Sequence, residues 1–269
     1  MKQKKTKLLW SLILLALILA WLVYTRDQAP QISQVVTQET VVTDDTGSGV
    51  PIIASDDDPE SHEGSLSIVD SDPDKIPDYE GEACIMLNDG IPNFNAWDIE
   101  NISGEHFSEH DELGRCGTAV AMLDRSMMPT GPRGDIGEIH PTGWKQRRYD
   151  GLIDSDPPYL YNRSHLIAYA LTGQNANELN LITGTRYLNY DIMRPWEEEV
   201  MDYIAGGRNH VLYRVSPLFR DDELLARGVE MEAYSVEDKG KGICYHVFIY
   251  NVQPGVELDY RTGANHLAE

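Results

Sequence analysis

The sequence predicts an α+β domain with a central, mostly antiparallel sheet, preceded by an N-terminal hydrophobic helix and a disordered acidic linker. Three observations predict it. β-Branched and aromatic runs dominate the C-terminal third. One run with helix start and stop signals precedes them. The first 76 residues have compositions unlike a packed core.

The N-terminal helix comes first. Lys2, Lys4, Lys5 and Lys7 precede an apolar run from Leu8 to Tyr24 that only Ser11 interrupts, and Arg26 closes it. A basic start before an apolar stretch is an export signal. The run is just long enough to span a bilayer, Trp21 and Tyr24 suit its interface, and no small-x-small cleavage site follows Ala20. Residues 1–26 are therefore expected to be an uncleaved signal anchor, in preference to a removed signal peptide. The Lys cluster would stay in the cytoplasm, residues 8–24 would lie in the membrane, and the chain that follows would lie outside the cytoplasm, either anchored or, if cleaved, secreted.

The linker, residues 27–76, carries twelve Asp/Glu and no Lys or Arg between Asp27 and Asp74, with no aromatic residue. Such a segment cannot bury enough apolar surface to order itself and is expected to be a self-repelling tether. It lacks the residue pattern of a calcium loop.

The folded domain is expected over 77–269. The whole chain has a net charge of -22, which argues against a polyanionic partner at long range. The tether holds part of that charge, but 32 acids still face 17 Lys/Arg from Lys75 onward. Any nucleic-acid groove must then be a local basic patch assisted by a metal ion. Cys84, Cys116 and Cys244 form no CxxC pair, which excludes the usual structural zinc site. A Cys84–Cys116 bridge is conceivable in an oxidising compartment, but three small buried side chains is the preferred reading.

Within the domain, 112–128 is read as a strand entering a turn, and 129–143, with four Gly and three Pro, as a long loop. Residues 158–163 and 179–183 read as short strands around a turn at 173–177. Pro195 suits the first position of a helix running to about Ile204, which Gly206 and Gly207 stop. His210–Val215, Val229–Val236 and Ile243–Val252 read as strands.

One segment gathers what phosphodiester cleavage requires: Tyr161-Asn-Arg-Ser-His165, then Asn175, Asn177 and Asn180, then Thr185-Arg-Tyr-Leu-Asn189, then Glu197. Neutral imidazole suits proton removal from water near neutral pH. An Asn carbonyl is a hard-oxygen ligand for a Mg²⁺ that keeps most of its waters. Arg163 and Arg186 offer bidentate contacts to phosphate. By spacing alone, a His after a strand is more often structural, and Asn clusters are usually turns.

The run YLYNRSHLIAYALTGQNANELNLITGTRYLN resembles the core of the DNA/RNA non-specific endonucleases, the ββα-metal or His-Me finger family, and is especially similar to streptococcal secreted and membrane-attached DNases. The similarity extends from about Leu113 to Asp259. It implies a ββα-metal fold, Mg²⁺ with Mn²⁺ as a substitute, DNA as substrate with RNA as a second one, and 5′-phosphate products. By the same resemblance His165 matches the general base and Asn189 the single direct metal ligand. Asn180 matches a supporting Asn, Glu197 a Glu that contacts the metal's water shell, and Arg133 a phosphate-contacting residue.

The family signature Asp-Arg-Gly-His reads Asn162-Arg163-Ser164-His165 in this chain. Asn162 cannot carry the charge of Asp, and Ser164 would strain the backbone if a positive φ were needed there. These departures leave a rival reading, a catalytically weakened surface DNA-binding module of the same fold. Trp144 is expected in the core in preference to a base-stacking role. Lys145, Arg147 and Arg148 are equally compatible with a groove or a solvated loop. His140 and His210 are expected to be structural.

Overall fold

A computed structural model describes residues 76–207 and 209–269. The expected anchor (1–26) and all but the last residue of the expected linker lie outside the described residues. Ile76, that last residue, is buried beside Leu218, Phe248 and Tyr250. Among the described residues no helix is long and apolar enough to cross a membrane.

The centre is a six-stranded sheet in the order β1-β8-β7-β6-β3-β2 with every pair antiparallel. Its strands are β1 (Cys84–Met86), β2 (Gly104–Phe107), β3 (Ala119–Leu123), β6 (Val211–Leu218), β7 (Gly228–Ser235) and β8 (Cys244–Tyr250). Side chains alternate between faces along each strand. Val211, Tyr213 and Val215 of β6, Val229, Met231 and Ala233 of β7, and Tyr245, Val247 and Ile249 of β8 turn to one side and build the main core. The intervening residues, among them Leu212, Arg214, Glu230, Glu232 and His246, turn to the other. Gly228 is required where β7 meets β8. A Cβ there would stand 2.2 Å from the Ile249 carbonyl oxygen and 2.6 Å from the Phe248 ring.

On the main-core side lies a separate hairpin of β4 (Tyr161–His165) and β5 (Leu181–Thr185), with His165 opposite Leu181. A seven-residue π-helical segment, Tyr187–Met193, follows β5 and runs directly into α3 (Arg194–Ala205). Leu188, Met193, Val200 and Ile204 from this unit are buried against the sheet. Between the hairpin strands sits the short α2 (Tyr169–Thr172), closed by Gly173 at φ 71°. A second small pair, β9 (Val256–Leu258) with β10 (Asn265–Leu267), completes the strands.

The opposite face is covered by the segment leading into β2. Its helix α1 (Ala96–Asn101) starts at a reciprocal cap: the Asp98 N–H donates to Asn95 Oδ1, and the Asn95 N–H to Asp98 Oδ2, both at 3.0 Å. Phe94 and Ile102 pack there on Val120, Leu212 and Tyr234.

The α+β class, the antiparallel sheet and α3 match the expectation. Four details differ. Only Ala119–Leu123 of 112–128 is strand. The hairpin strands lie about two residues later than the side-chain pattern indicates, so His165 ends β4 instead of following it. Helical structure begins at Tyr187, ahead of Pro195. Strands β1 and β2 and helix α1 have no periodicity long enough to announce them. All three cysteines are free thiols.

Candidate active site

The hairpin, the π-helical segment and α3 enclose an open cavity of about 770 Å³. His165 from the end of β4, Asn189 from the π-helical segment and Glu197 from the first turn of α3 reach its wall. Arg133, Arg163 and Arg186 line it too, so six of the seven residues anticipated from sequence share one cavity. A π-type widening re-aims side chains relative to a regular helix and recurs at functional sites. Here it carries Asn189 to the cavity while Leu188 and Met193 stay in the core.

His165 is buried, and its surroundings fix its proton. Nε2 lies 2.9 Å from the Asn175 carbonyl oxygen, which can only accept, so Nε2 holds the hydrogen. Nδ1 lies 3.3 Å from the Arg133 guanidinium, which can only donate, so Nδ1 holds the lone pair. Burial is the main influence on the ring's basicity, and with the Arg133 charge it outweighs the Asn175 hydrogen bond, lowering the pKa to about 4. The ring is therefore neutral at physiological pH.

Asn189 accepts a 2.7 Å hydrogen bond from the Ser164 hydroxyl on Oδ1. Glu197 is half-buried and has no hydrogen-bond partner among the described residues. Burial, with the neighbouring charge of Glu198, pushes its carboxyl up to about 8, against the opposing pull of Arg194.

Asn180 does not reach the cavity. It is fully buried, accepts from the Ile167 N–H on Oδ1 and donates through Nδ2 to the Ile167 carbonyl, both at 2.9 Å. Its own carbonyl accepts from the Leu166 N–H at 2.9 Å. It thus clamps the chain immediately after His165, and both polar atoms of its side chain are engaged.

The arginines differ in what they leave open. Arg163 donates from Nε to the Ile139 carbonyl at 2.5 Å and from its terminal nitrogen to the Gly137 carbonyl, with its guanidinium 4.4 Å above the Trp144 ring. It holds the 129–143 loop beside the cavity. Arg133 reaches out from that loop to His165 and to Asn175 Oδ1 at 3.2 Å. Arg186 lies 3.6 Å over the Tyr190 ring, which Arg194 also approaches at 4.7 Å. Four arginines, 133, 163, 186 and 194, face three acids, Asp156, Glu197 and Glu198, around the cavity. The local balance is basic in an acidic domain.

The remaining departures resolve locally. Ser164 lies in the extended strand β4 and is absent from the positive-φ positions, so the expected backbone strain does not arise. Asn162 lines the cavity with its Nδ2 buried and without a hydrogen-bond partner. Trp144 is partly buried, 6.3 Å from the Tyr161 ring, and packs against a small core cluster. Arg147 is tied to the Asn265 carbonyl at 2.7 Å and Arg148 to Asp150 at 3.0 Å. Neither they nor Lys145 border the cavity. His210 pairs with Glu237 at the surface.

A family model for DNA/RNA non-specific endonucleases matches residues 96–237, more than half of the chain and all of the hairpin–helix unit. The chain belongs to the DNA/RNA non-specific endonuclease family. Among solved structures, this endonuclease is similar to NucA from Streptococcus agalactiae. With no metal bound, NucA is 28% identical with a TM-score of 0.57, covering 68% of this chain and 86% of NucA. With a magnesium ion bound, it is 26% identical with a TM-score of 0.58, covering 68% and 87%. The fold of the Sda1 nuclease, solved with a zinc ion, is also similar: 24% identity, a TM-score of 0.57, and coverage of 70% of this chain and 96% of Sda1.

Among the described residues of the endonuclease, one group of His, Cys, Asp and Glu has metal-ligand spacing: Glu230, Glu232 and His246. It lies on the sheet face away from the cavity, and its polar atoms are already engaged. Glu232 receives Arg214 Nε at 2.6 Å and the Asn93 N–H at 2.7 Å. His246 sits between Glu230 and the Ile91 carbonyl.

Sequence reading missed two contributors. Asn175 supplies the carbonyl that sets the His165 tautomer. Backbone contacts of this kind leave no mark on residue type. Ser164 registers in the sequence only as a departure from the signature.

Proposed function

We propose that the chain is an exported endonuclease that hydrolyses DNA, with RNA as a second substrate, without sequence preference and with 5′-phosphate products. His165 is the general base, and a divalent ion, Mg²⁺ with Mn²⁺ as a substitute, binds at Asn189. The observation that carries this reading is a neutral His165, its Nδ1 lone pair met by Arg133, lining the same cavity as Asn189 and Glu197.

The donor set fits a hydrated hard cation: one amide oxygen and one carboxyl group without a hydrogen-bond partner among the described residues, facing a wet cavity. Asn189 Oδ1 would hold the ion and Glu197 would face its water shell. Bound there, such an ion stabilises the negative charge that develops on phosphate and on the leaving oxygen.

The chain's own groups perform the rest. Among the described residues Arg133 is the donor on Nδ1, and a phosphate entering the cavity would compete with Nδ1 and Asn175 for its guanidinium. When it does, Nδ1 is open to a water. Nδ1 takes that water's proton as its oxygen attacks phosphorus, the bond from phosphorus to the 3′ oxygen breaks, and the 3′ oxygen takes a proton from solvent to leave as the hydroxyl. Arg186 on Tyr190 faces the same cavity and adds charge for the phosphodiester backbone. Asn180 keeps His165 in place through the Ile167 backbone. Contacts of this type address phosphate and not base edges, which accounts for the absence of sequence preference.

Export and membrane attachment through residues 8–24 rest on the sequence of the first 26 residues. The test of the enzymatic reading is digestion of plasmid DNA by the full chain with Mg²⁺ and with EDTA. Smearing with Mg²⁺ that EDTA abolishes supports it. DNA binding without cleavage at every divalent ion tried refutes it in favour of the binding module. Recovery of the full-length chain in the membrane fraction supports the anchor, and a shorter released form refutes it.

A further inference from the structure

We infer that Ser164 is a positioning residue for the metal site: its hydroxyl selects the oxygen of the Asn189 amide and turns it towards the cation. The inference rests on the metal role of Asn189 proposed above.

A primary amide has two edges of nearly the same shape, a carbonyl oxygen that accepts and an NH₂ that donates. Only the oxygen binds a cation. An Asn at the rim of a wet cavity, with nothing to distinguish its edges, presents the wrong one for part of the time. A hydroxyl can donate or accept, but the 2.7 Å separation between Ser164 Oγ and Asn189 is that of an O–H···O bond, and the other acceptor near Oγ, the Met193 sulfur, is weak and distant, so Ser164 donates to the oxygen edge. It is fully buried in β4, next to His165, and its Oγ donates to Asn189 Oδ1 at 2.7 Å. The sulfur of Met193 lies 3.7 Å from the same Oγ. A carbonyl oxygen has two lone-pair directions, so one can hold the Ser164 hydrogen while the other faces the cavity.

The hairpin is built to accommodate this side chain. Gly184, on the adjacent strand β5, has no Cβ. One placed there would stand 2.7 Å from Ser164 Cβ, 3.1 Å from its Oγ and 3.0 Å from Leu188 Cδ2. The serine therefore lies across a glycine to reach the π-helical segment. The hydrogen bond joins the strand that carries the base to the segment that carries the ligand.

The test uses the metal-free protein and Mn²⁺ or Mg²⁺ alone, with binding measured by calorimetry. One net hydrogen bond corresponds to about a 5-fold change in equilibrium constant. Ser164→Ala is expected to weaken ion binding by that order. The ion concentration for half-maximal cleavage should rise by the same factor, and the maximal rate should fall less. The decisive arm is Asn189→Asp. A carboxylate offers oxygen on both edges, so in that background Ser164→Ala is expected to leave the ion affinity nearly unchanged. Equal losses with Asn189 intact and in the Asn189→Asp background would mean that Ser164 only packs, and would overturn the inference. Undiminished ion binding by Asn189→Ala would instead overturn the metal assignment itself.

Discussion

The two faces of the central sheet each bury a histidine, and they treat it in opposite ways. On the cavity side, His165 has a donor at one nitrogen and an acceptor at the other, so it is neutral. On the far side, both nitrogens of His246 meet acceptors, the Ile91 carbonyl at 3.2 Å and the Glu230 carboxylate, an arrangement that favours the charged ring with hydrogen on both. Burial alone would lower the basicity of His246, but the Glu230 hydrogen bond and the charges of Glu232 and Glu230 outweigh it and raise the pKa. The far face pairs its polar groups with one another: Arg214 holds Glu232, Glu232 holds the Asn93 N–H, and Arg214 lies 4.8 Å from the Phe94 ring. The cavity face leaves groups open, among them the Asn162 amide nitrogen and the Glu197 carboxyl. Buried polar groups without partners are costly, and among the described residues the Asn162 nitrogen is the one such atom at the cavity wall, while those of Glu105, Thr172 and Tyr213 lie outside it.

The largest effect that would sharpen this contrast is on stability. Arg214→Met leaves Glu232 buried without its cation and is expected to cost about 3–5 kcal/mol in denaturant unfolding. Cleavage per folded molecule should be unchanged. A loss of cleavage larger than the loss of folded protein would show that the two faces are coupled.

Asn180→Ala leaves the N–H and C=O of Ile167 buried and unpaired. About 1–3 kcal/mol of stability should go with it, measured by the same unfolding. Here, unlike at Arg214, the turnover of the folded fraction should fall as well, because the clamp adjoins His165. Turnover equal to the unmutated protein would reduce Asn180 to a packing residue.

Arg133→Ala removes a charged donor from both phosphate and Nδ1. The KM for DNA is expected to rise about 10-fold, the loss of one charge-assisted hydrogen bond. The acid limb of kcat/KM should move to higher pH, because the Arg133 charge is one cause of the lowered His165 pKa. An unchanged limb would contradict the contact between them.

The two histidines should also give opposed pH slopes. The folded pKa of His165, about 4, lies below its unfolded value. Its stabilising contribution is complete above the unfolded pKa of about 6.5 and is lost as pH falls through 4. The folded pKa of His246 is raised. Its contribution is complete below about 6.5 and is lost as pH rises through the folded value. NMR of the ring nitrogens at pH 6 should find one neutral and one charged imidazole. Two rings titrating together would remove the contrast.

The fold was legible in the sequence where the period was long. Val211, Tyr213 and Val215 alternate with polar or opposite-face residues, and Pro195 with Gly206 brackets a helix that spans Arg194–Ala205. Three-residue strands such as Cys84–Met86 contain too few alternations to register. The π-helical segment Tyr187–Met193 was illegible because a local widening leaves the residue pattern of an ordinary helix. In the site, residue types located His165, Asn189 and Glu197 through a family likeness. The tautomer of His165 and the role of Ser164 depend on a backbone carbonyl and on a missing Cβ, at Asn175 and Gly184. Neither is visible before the chain is folded.

The central claim is that His165, neutral with its lone pair at Nδ1, is the base. The most direct test is the pH dependence of plasmid cleavage by the unmutated protein and by His165→Ala, at saturating Mg²⁺. The unmutated protein should show an acid limb in kcat/KM well below 6.5. The variant should fold, cleave about 10²–10⁴-fold more slowly and lack that limb. A variant that cleaves at the unmutated rate, or keeps the same acid limb, would contradict the account.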